Sequence, residues 1–515
     1  MIAQFMMDYS LMYGAIQNRL LAPWKRRVTR LAVLAALTAY ALMLFSHISY
    51  AAGGADTSGY MNLAKLLASG RTRYVIEPIR TLGLAPTGTL ISVFTPLGFT
   101  WGIAGSGTMA PGYQPGLPMH LVAAASIGGW KRAPYLVSPM AALLSVAMMF
   151  LIGREFGLSP LLSAVGAATL AVLPQLVWHA LQPASDVVAT LWSLVAMWCA
   201  LKAVERPWMA FAAGIAFAVG VWVRPTGVLL GVPMALAFRL RPGLLWRGVV
   251  GALPLAVALM FYQRSVYGSP FRTAYGTPGE VISLTHFALS FGIFARWLLL
   301  VCGPLLFPFG LVVAVDRRVP PWYRLLLPVW FGVFLAFYCL WGPFDDLWSL
   351  RFLLPGTPPL IVGTLLLIQN RIAGRSVIAR RRAWRVAVAV PVAIVVAWPA
   401  YQLASYNIWD MASVESIYPE AVHWAEKRLP RNAIVVSGSL SGAFFYYSNR
   451  FSARADQLDA DTFRMLRTRA DRIGLRWYAV LSDGEPEYQT LEKKLPGTWT
   501  RIGTYRNVAM WRLDP

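Results

Sequence analysis

The sequence is poorest in acids where it is richest in apolar residues. Ten of its 23 Asp and Glu fall in residues 1–403, and thirteen follow from Asp410 onward. Charged residues make up 13% of the 515-residue chain against 57% hydrophobic ones, and the mean hydropathy is +0.53. So little charge excludes a soluble globular chain, which could not hide that much apolar surface; a polytopic membrane protein need not hide it. Cysteine is scarce too. Cys199, Cys302 and Cys339 lie in or beside apolar runs, which excludes a disulfide framework and a metal-ligand spacing. His47, His120, His179 and His286 are scattered, so no cofactor is implied by clustering. A divalent cation stays open, because a single aspartate can bind one. SGSLSG, Ser437 to Gly442, follows a strand pattern but has no Lys or Thr to complete a phosphate loop.

What is abundant is basic charge, with a formal net of +23. In a soluble protein that surplus would suggest nucleic acid. Here the basic residues fall in alternate loops between apolar runs, the pattern of cytoplasmic positive charge, and no nucleic-acid partner is expected. About eleven spans of the ~20 residues a crossing helix needs are expected near 31–49, 134–153, 160–179, 186–204, 208–223, 225–239, 246–266, 292–314, 323–341, 350–369 and 386–404. Lys25, Arg26, Arg27 and Arg30 precede the first span and place the N-terminus inside; an odd count places the C-terminus outside. Arg154, Lys202, Arg206, Arg239, Arg241, Arg247, Arg317, Arg318, Arg324 and the dense loop 371–385 then all fall inside. A cleaved signal peptide is the rival reading of the first run, since SYAAGG supplies small residues.

The loop over about 50–133 is too long for a mere connection. It begins with ADTSGYMNLAKLLASG, in which Asp56 precedes apolar residues at helical spacing. Its end, PGYQPGLPMHLVAAASIGGW, reads as a helix lying in the interface. After the last span the composition turns charged. EAVHWAEKRL and PEYQTLEKKL read as helices, NAIVVSG and RWYAVLSDG as strands, and TRIGTYRNVAMWRL as a closing hairpin. The expected organisation is therefore a polytopic α-helical membrane domain over 1–405, including the loop 50–133, and a soluble periplasmic α/β domain over 406–515.

With this topology Asp56, Glu77, Asp186, Glu280, Asp345 and Asp346 face outward, together with Lys65, Arg71, Arg73, Arg80, Arg224, Arg264, Arg272 and Arg351. A carboxylate at a bilayer boundary costs free energy unless paired or solvated. Acids and arginines gathered at one membrane face suit a lipid-phosphate donor, whose phosphate needs cations, and an acceptor hydroxyl, which needs a carboxylate base. Arg351 and Arg272 are the first candidates for the phosphate, with Arg224, Lys65 and Arg71 behind them and Tyr60 as a packing or substrate residue. The plainer readings are that Asp56 and Asp186 cap the helices they begin, and that Asp345 and Asp346 are solvated or pair with Arg351.

The pattern resembles the GT-C superfamily of integral membrane glycosyltransferases, which includes protein O-mannosyltransferases and lipid A aminoarabinose transferases. The residues that carry the resemblance are Asp56 with Tyr60, Ala64 and Gly70; YQPGLP at Tyr113–Pro118; PASD ending at Asp186; VRPTG around Arg224; and RFLLP at Arg351–Pro355. They span most of residues 45–360. The resemblance implies a polyprenyl-phosphate-linked sugar donor, a glycan, lipid or protein acceptor, and an inverting displacement in a bacterial inner membrane. It implies Asp56 as general base, with Asp186 positioning the acceptor or supporting Asp56. Where many relatives carry a second acid after the loop aspartate, this chain has Thr57. Two other classes of function compete: a transporter or flippase of lipid-linked sugars, expected to show interrupted spans in two similar halves, and a receptor-like module anchored by its spans.

Overall fold

The computed structural model describes residues 23–103, 105–277, 279, 282–373 and 389–515. Most of the basic loop 371–385 and Glu280 lie outside them. The chain divides into two compact units, Met1–Ser46 and His47–Pro515. The first contains the Pro23–Ser46 helix, which overlaps the expected first span. The second unit holds the remaining elements.

Among the described residues five helices are long and apolar enough to cross a membrane: Ala133–Glu155, Ser185–Lys202, Pro242–Tyr267, Leu284–Cys302 and Pro321–Leu340. Two more candidates are bent pairs, Pro160–Ala171 with Pro174–Ala180 at 60° and Leu347–Gly356 with Pro358–Arg371 at 71°. That makes up to seven candidates where eleven spans are expected from the sequence. The difference has a local cause. Several apolar runs are continuous in hydropathy but not in backbone, because proline lacks the N–H a helix interior needs. Pro174 and Pro358 begin the second members of the two bent pairs. Met209–Val223, Pro225–Ala237 and Val390–Ser405 are apolar helices of fewer than 18 residues. Broken backbone at membrane depth is tolerated where it lines a cavity. Both bends do: Trp178 from one and Trp348 from the other stack in the cavity wall, with ring centroids 3.8 Å apart.

Small residues set the helix crossings. A Cβ on Gly214 would stand 1.9 Å from the Gly248 carbonyl oxygen, so Met209–Val223 and Pro242–Tyr267 touch backbone to backbone. The YQPGLP stretch leads into a helix over Gly116–Gly128, where the interfacial helix is expected.

The loop after residue 50 and the C-terminal region are both built on sheets. In the loop, β1 (Tyr74–Val75), β2 (Phe99–Trp101) and β3 (Thr108–Pro111) pair antiparallel in the order β1-β3-β2. Beyond residue 405, β4 (Ala433–Ser437), β5 (Ser452–Arg454), β6 (Arg476–Ser482), β7 (Trp499–Tyr505) and β8 (Val508–Leu513) form one sheet, ordered β5-β4-β6-β8-β7. Strand β4 is buried at every position and runs parallel to both neighbours, which is why AIVV is continuously apolar up to Ser437. The helices Ile417–Glu426 and Pro486–Lys494 and the β7–β8 hairpin stand where the sequence places them.

These two sheet regions share one core. Ile76, Ile79, Phe94 and Phe99 from the loop bury themselves with Phe445, Phe463, Trp477 and Trp499 from the C-terminal region. The Ser441–Ser448 helix packs directly on the Ala55–Ala68 helix. Asn62 Nδ2 donates to the Gly442 carbonyl at 3.1 Å, Lys65 Nζ to the Tyr446 carbonyl at 3.0 Å, and the Tyr447 hydroxyl accepts from the Ala52 N–H at 2.7 Å. Gly442 is glycine for this contact, since a Cβ there would come within 2.3 Å of Ser58 Oγ. The glycines of SGSLSG thus serve packing as well as turning the chain.

Candidate active site

The Ala55–Ala68 helix begins after Gly54, whose φ of 47° suits glycine, and no side chain caps it. Asp56 therefore stands in the first turn with its carboxylate free of the helix end. Oδ1 accepts from the Tyr113 hydroxyl at 2.6 Å and Oδ2 from Arg351 Nη1 at 2.6 Å. Asp186 is placed likewise, in the first turn of Ser185–Lys202 after Ala184, and it pairs with Arg224 rather than capping its helix. Arg224 sits in extended backbone between two apolar helices, so its guanidinium leaves the helical pattern and reaches Asp186. Arg351 comes from Leu347–Gly356, the first member of the second bent pair. Phe352 lies beside both cations, its ring centroid 5.5 Å from the Arg224 guanidinium and 5.2 Å from that of Arg351.

All of these groups line one cavity of about 790 Å³. Tyr60 lines it too; its hydroxyl donates to Ser185 Oγ at 2.7 Å, and its ring lies 4.4 Å from that of Tyr113. Thr57 donates to Gln182 Oε1 at 2.9 Å, so the position that departs from the resemblance ties the Asp56 helix to the loop before Asp186. Asp56 is 39% exposed by side chain, and the cavity receives that exposure. Burial pushes its carboxyl up, but the Arg351 guanidinium and the Tyr113 hydroxyl outweigh burial and hold it below the usual carboxylate range. Burial and the Asp56 charge push the Tyr113 hydroxyl well above the usual phenol range, so it remains a donor.

Of the residues singled out in the sequence, the structure brings together Asp56, Asp186, Arg224, Arg351, Tyr60 and Asp346. It does not bring Lys65, Arg71 or Arg272 to the cavity. Lys65 points to the Ser441–Ser448 helix, its Nζ 3.6 Å from the Tyr446 ring centroid. Arg71 is exposed beyond the helix end, with Nε donating to Ser69 Oγ at 3.1 Å. Arg272 is exposed while its neighbours Phe271 and Thr273 line the wall. The reason is helical phase: Lys65 falls on the face of the Ala55–Ala68 helix away from Asp56. Asp345 pairs with Arg296, and Asp346 accepts from the Ser349 N–H at 2.7 Å, so neither pairs with Arg351.

The structure also places groups that the sequence did not single out. Tyr113, quoted only as part of YQPGLP, is the hydrogen-bond partner of Asp56. Gln114 is buried in the wall, with neither amide atom hydrogen-bonded. Glu415, from beyond the last span, also lines the cavity. No group of three or more His, Cys, Asp or Glu able to hold a metal ion occurs among the described residues.

No protein-family model and no curated protein sequence matches the chain. Solved structures do, and together they define a GT-C-like fold. The structure of ArnT from Cupriavidus metallidurans bound to undecaprenyl phosphate superimposes with a TM-score of 0.58 at 14% identity, over 93% of this chain and 98% of that one. The archaeal oligosaccharyltransferase AglB from Archaeoglobus fulgidus, in complex with an inhibitory peptide and a dolichol-phosphate, gives 0.51 at 14% identity, over 89% and 70%. Arabinofuranosyltransferase AftD from Mycobacteria gives 0.50 at 12% identity, over 94% of this chain and 41% of that one.

Proposed function

We propose that the protein is a glycosyltransferase that moves a sugar from a polyprenyl-phosphate carrier to an acceptor hydroxyl, with Asp56 as the general base. The observation that carries this reading is the meeting of Asp56 and Arg351, beside Asp186 and Arg224, in one cavity. Two cations adjoining a carboxylate base suit a reaction in which phosphate leaves as a hydroxyl attacks. The acceptor oxygen bonds to the anomeric carbon and its proton passes to Asp56. The bond from that carbon to the phosphate oxygen breaks, and its electron pair leaves on the lipid phosphate. Arg351 and Arg224 stabilise that leaving charge, and the displacement inverts the anomeric centre. In the resting cavity both arginines are held by aspartates. An arriving phosphate competes for Arg351 and loosens its hold on Asp56, so donor binding prepares the base.

The similar structures bound to undecaprenyl phosphate and to a dolichol-phosphate support a lipid-phosphate carrier. The alternating basic loops support an inner-membrane protein with its N-terminus inside, the cavity and residues 406–515 facing the periplasm. The test is release of lipid phosphate by purified protein from a panel of undecaprenyl-phosphate sugars, with wild type and Asp56→Ala. Release by wild type and none by the variant is expected. The two bent helix pairs favour a second reading, movement of a lipid-linked sugar across the bilayer. Labelled lipid that crosses a liposome membrane without any release of lipid phosphate would favour that reading instead.

A further inference from the structure

Glu415 ends the short Met411–Glu415 helix, and it is the one lining residue that the chain beyond residue 405 contributes to the cavity. Among the described residues four acids line that cavity. Asp56 is held by Arg351, Asp186 by Arg224 and Asp346 by the Ser349 N–H. Glu415 differs: its Oε2 is buried with no hydrogen-bond partner. That oxygen lies against the backbone just before Asp56, since a Cβ on Gly53 would stand 2.0 Å from it. Glu415 as a whole is half-buried, and a carboxylate oxygen enclosed without a donor or a cation is costly while charged and cheap once the group holds a proton.

We infer that Glu415 takes the acceptor's proton on from Asp56, so that the C-terminal region supplies the outlet for the proton that sugar transfer releases. This rests on Asp56 being the base. The proton that Asp56 gains as the acceptor oxygen attacks moves to a Glu415 carboxylate oxygen, which leaves Asp56 ionised for the next turnover; Glu415 then gives the proton to solvent. No electrons are exchanged, and the phosphate leaves with its electron pair as before. The two environments set the direction. Asp56 lies below the usual carboxylate range, whereas burial and the neighbouring Asp56 charge push Glu415 up to about 7, so the proton runs downhill. Asp56 from the Ala55–Ala68 helix acts on Glu415, and the Glu415 charge in turn acts on the hydroxyls of Tyr447 from the Ser441–Ser448 helix and Tyr418 from the Ile417–Glu426 helix. Asp410 and Glu420 stand on the adjoining elements, Glu420 bound to Arg506.

The test is the pH–rate profile of lipid phosphate release from undecaprenyl-phosphate sugars by wild type, Glu415→Gln, Glu415→Asp and Asp56→Asn. Wild-type turnover is expected to fall as pH drops through about 7, where Glu415 holds its proton and can accept no other. In Glu415→Gln that limb disappears and turnover drops by about tenfold or more; Glu415→Asp restores part of both. A Glu415→Gln profile that overlays wild type, with Asp56→Asn inactive, overturns this inference and leaves the base intact. Turnover by Asp56→Asn overturns the base itself, and this inference with it. A second measurement needs no turnover: the carboxylic-acid infrared band that titrates near pH 7 in wild type is expected to be missing in Glu415→Gln. A Glu415 that titrates at an ordinary 4.5 overturns the relay.

Discussion

Asp56 has both carboxylate oxygens engaged, one by a phenol and one by a guanidinium, and each partner has its own consequence. Arg351 offers a flat fork that can hold a carboxylate and then a phosphate, which a lysine ammonium cannot reproduce. Arg351→Lys is expected to lower turnover about a hundredfold while donor binding weakens less, checked by comparing kcat with the affinity for undecaprenyl phosphate. The Asp186–Arg224 pair is the more enclosed, with side chains 4% and 17% exposed. Removing one partner of such a pair strands the other and costs about 3–5 kcal/mol. Asp186→Ala should therefore lower the Tm in detergent more than the double variant Asp186→Ala, Arg224→Leu, as thermal melts would show. Glu415 has the opposite sign. Its carboxyl is raised from 4.5 to about 7, so between those values the folded protein keeps a proton that the unfolded chain has released, and stability falls as pH rises through that window. Glu415→Gln should melt no lower than wild type above pH 7.

At the scale of elements, the Asp56 helix depends on a glycine. A Cβ on Gly59 would stand 2.4 Å from the Tyr113 ring and 2.7 Å from the Gly98 Cα. Overpacking of this kind costs about 1–3 kcal/mol, and here it would push Tyr113 off Asp56. Gly59→Ala is expected to lose most turnover while still binding lipid carrier, a separation that parallel activity and binding assays would reveal. The elements also mark where sequence reading stops. Strands β4 and β6 were legible as short apolar runs because both their faces are buried, and the helix Ile417–Glu426 because burial on one face imposes a period. The bends at 160–180 and 347–371 were not, because hydropathy averages across a proline that breaks the backbone. Asp56, Asp186, Arg224 and Arg351 stood out as charges set in apolar runs. Their pairing did not, since Arg351 meets Asp56 across 295 positions of chain. Glu415 gave no signal: in MASVESIYPE it reads as an ordinary solvated helix acid, and only the fold turns it into a cavity wall.

At the scale of the unit His47–Pro515, the loop 50–133 and the C-terminal region are halves of one apolar core. Phe94 and Ile76 are fully buried in the same cluster as Phe463 and Trp477. A chain ended at residue 405 leaves the loop half of that core uncovered. Limited proteolysis should then cut within residues 76–99, a stretch that the full chain protects. Activity should vanish with it, because the Ala55–Ala68 helix that carries Asp56 loses the helix it packs on.

That shared core also sets an order of events during synthesis. The loop half leaves the ribosome more than three hundred residues before Phe445, Phe463 and Trp477 exist to cover it. Contacts of such separation form late, so the nascent protein sits in its membrane with an exposed apolar face and an unfinished cavity until the last hundred residues arrive. On the proposed function, the protein is silent throughout its own insertion and becomes active only when residues 433–513 dock on the loop. A ribosome-stalled chain carrying everything up to residue 440 should bind a holding chaperone and release no lipid phosphate, while the completed chain does the reverse.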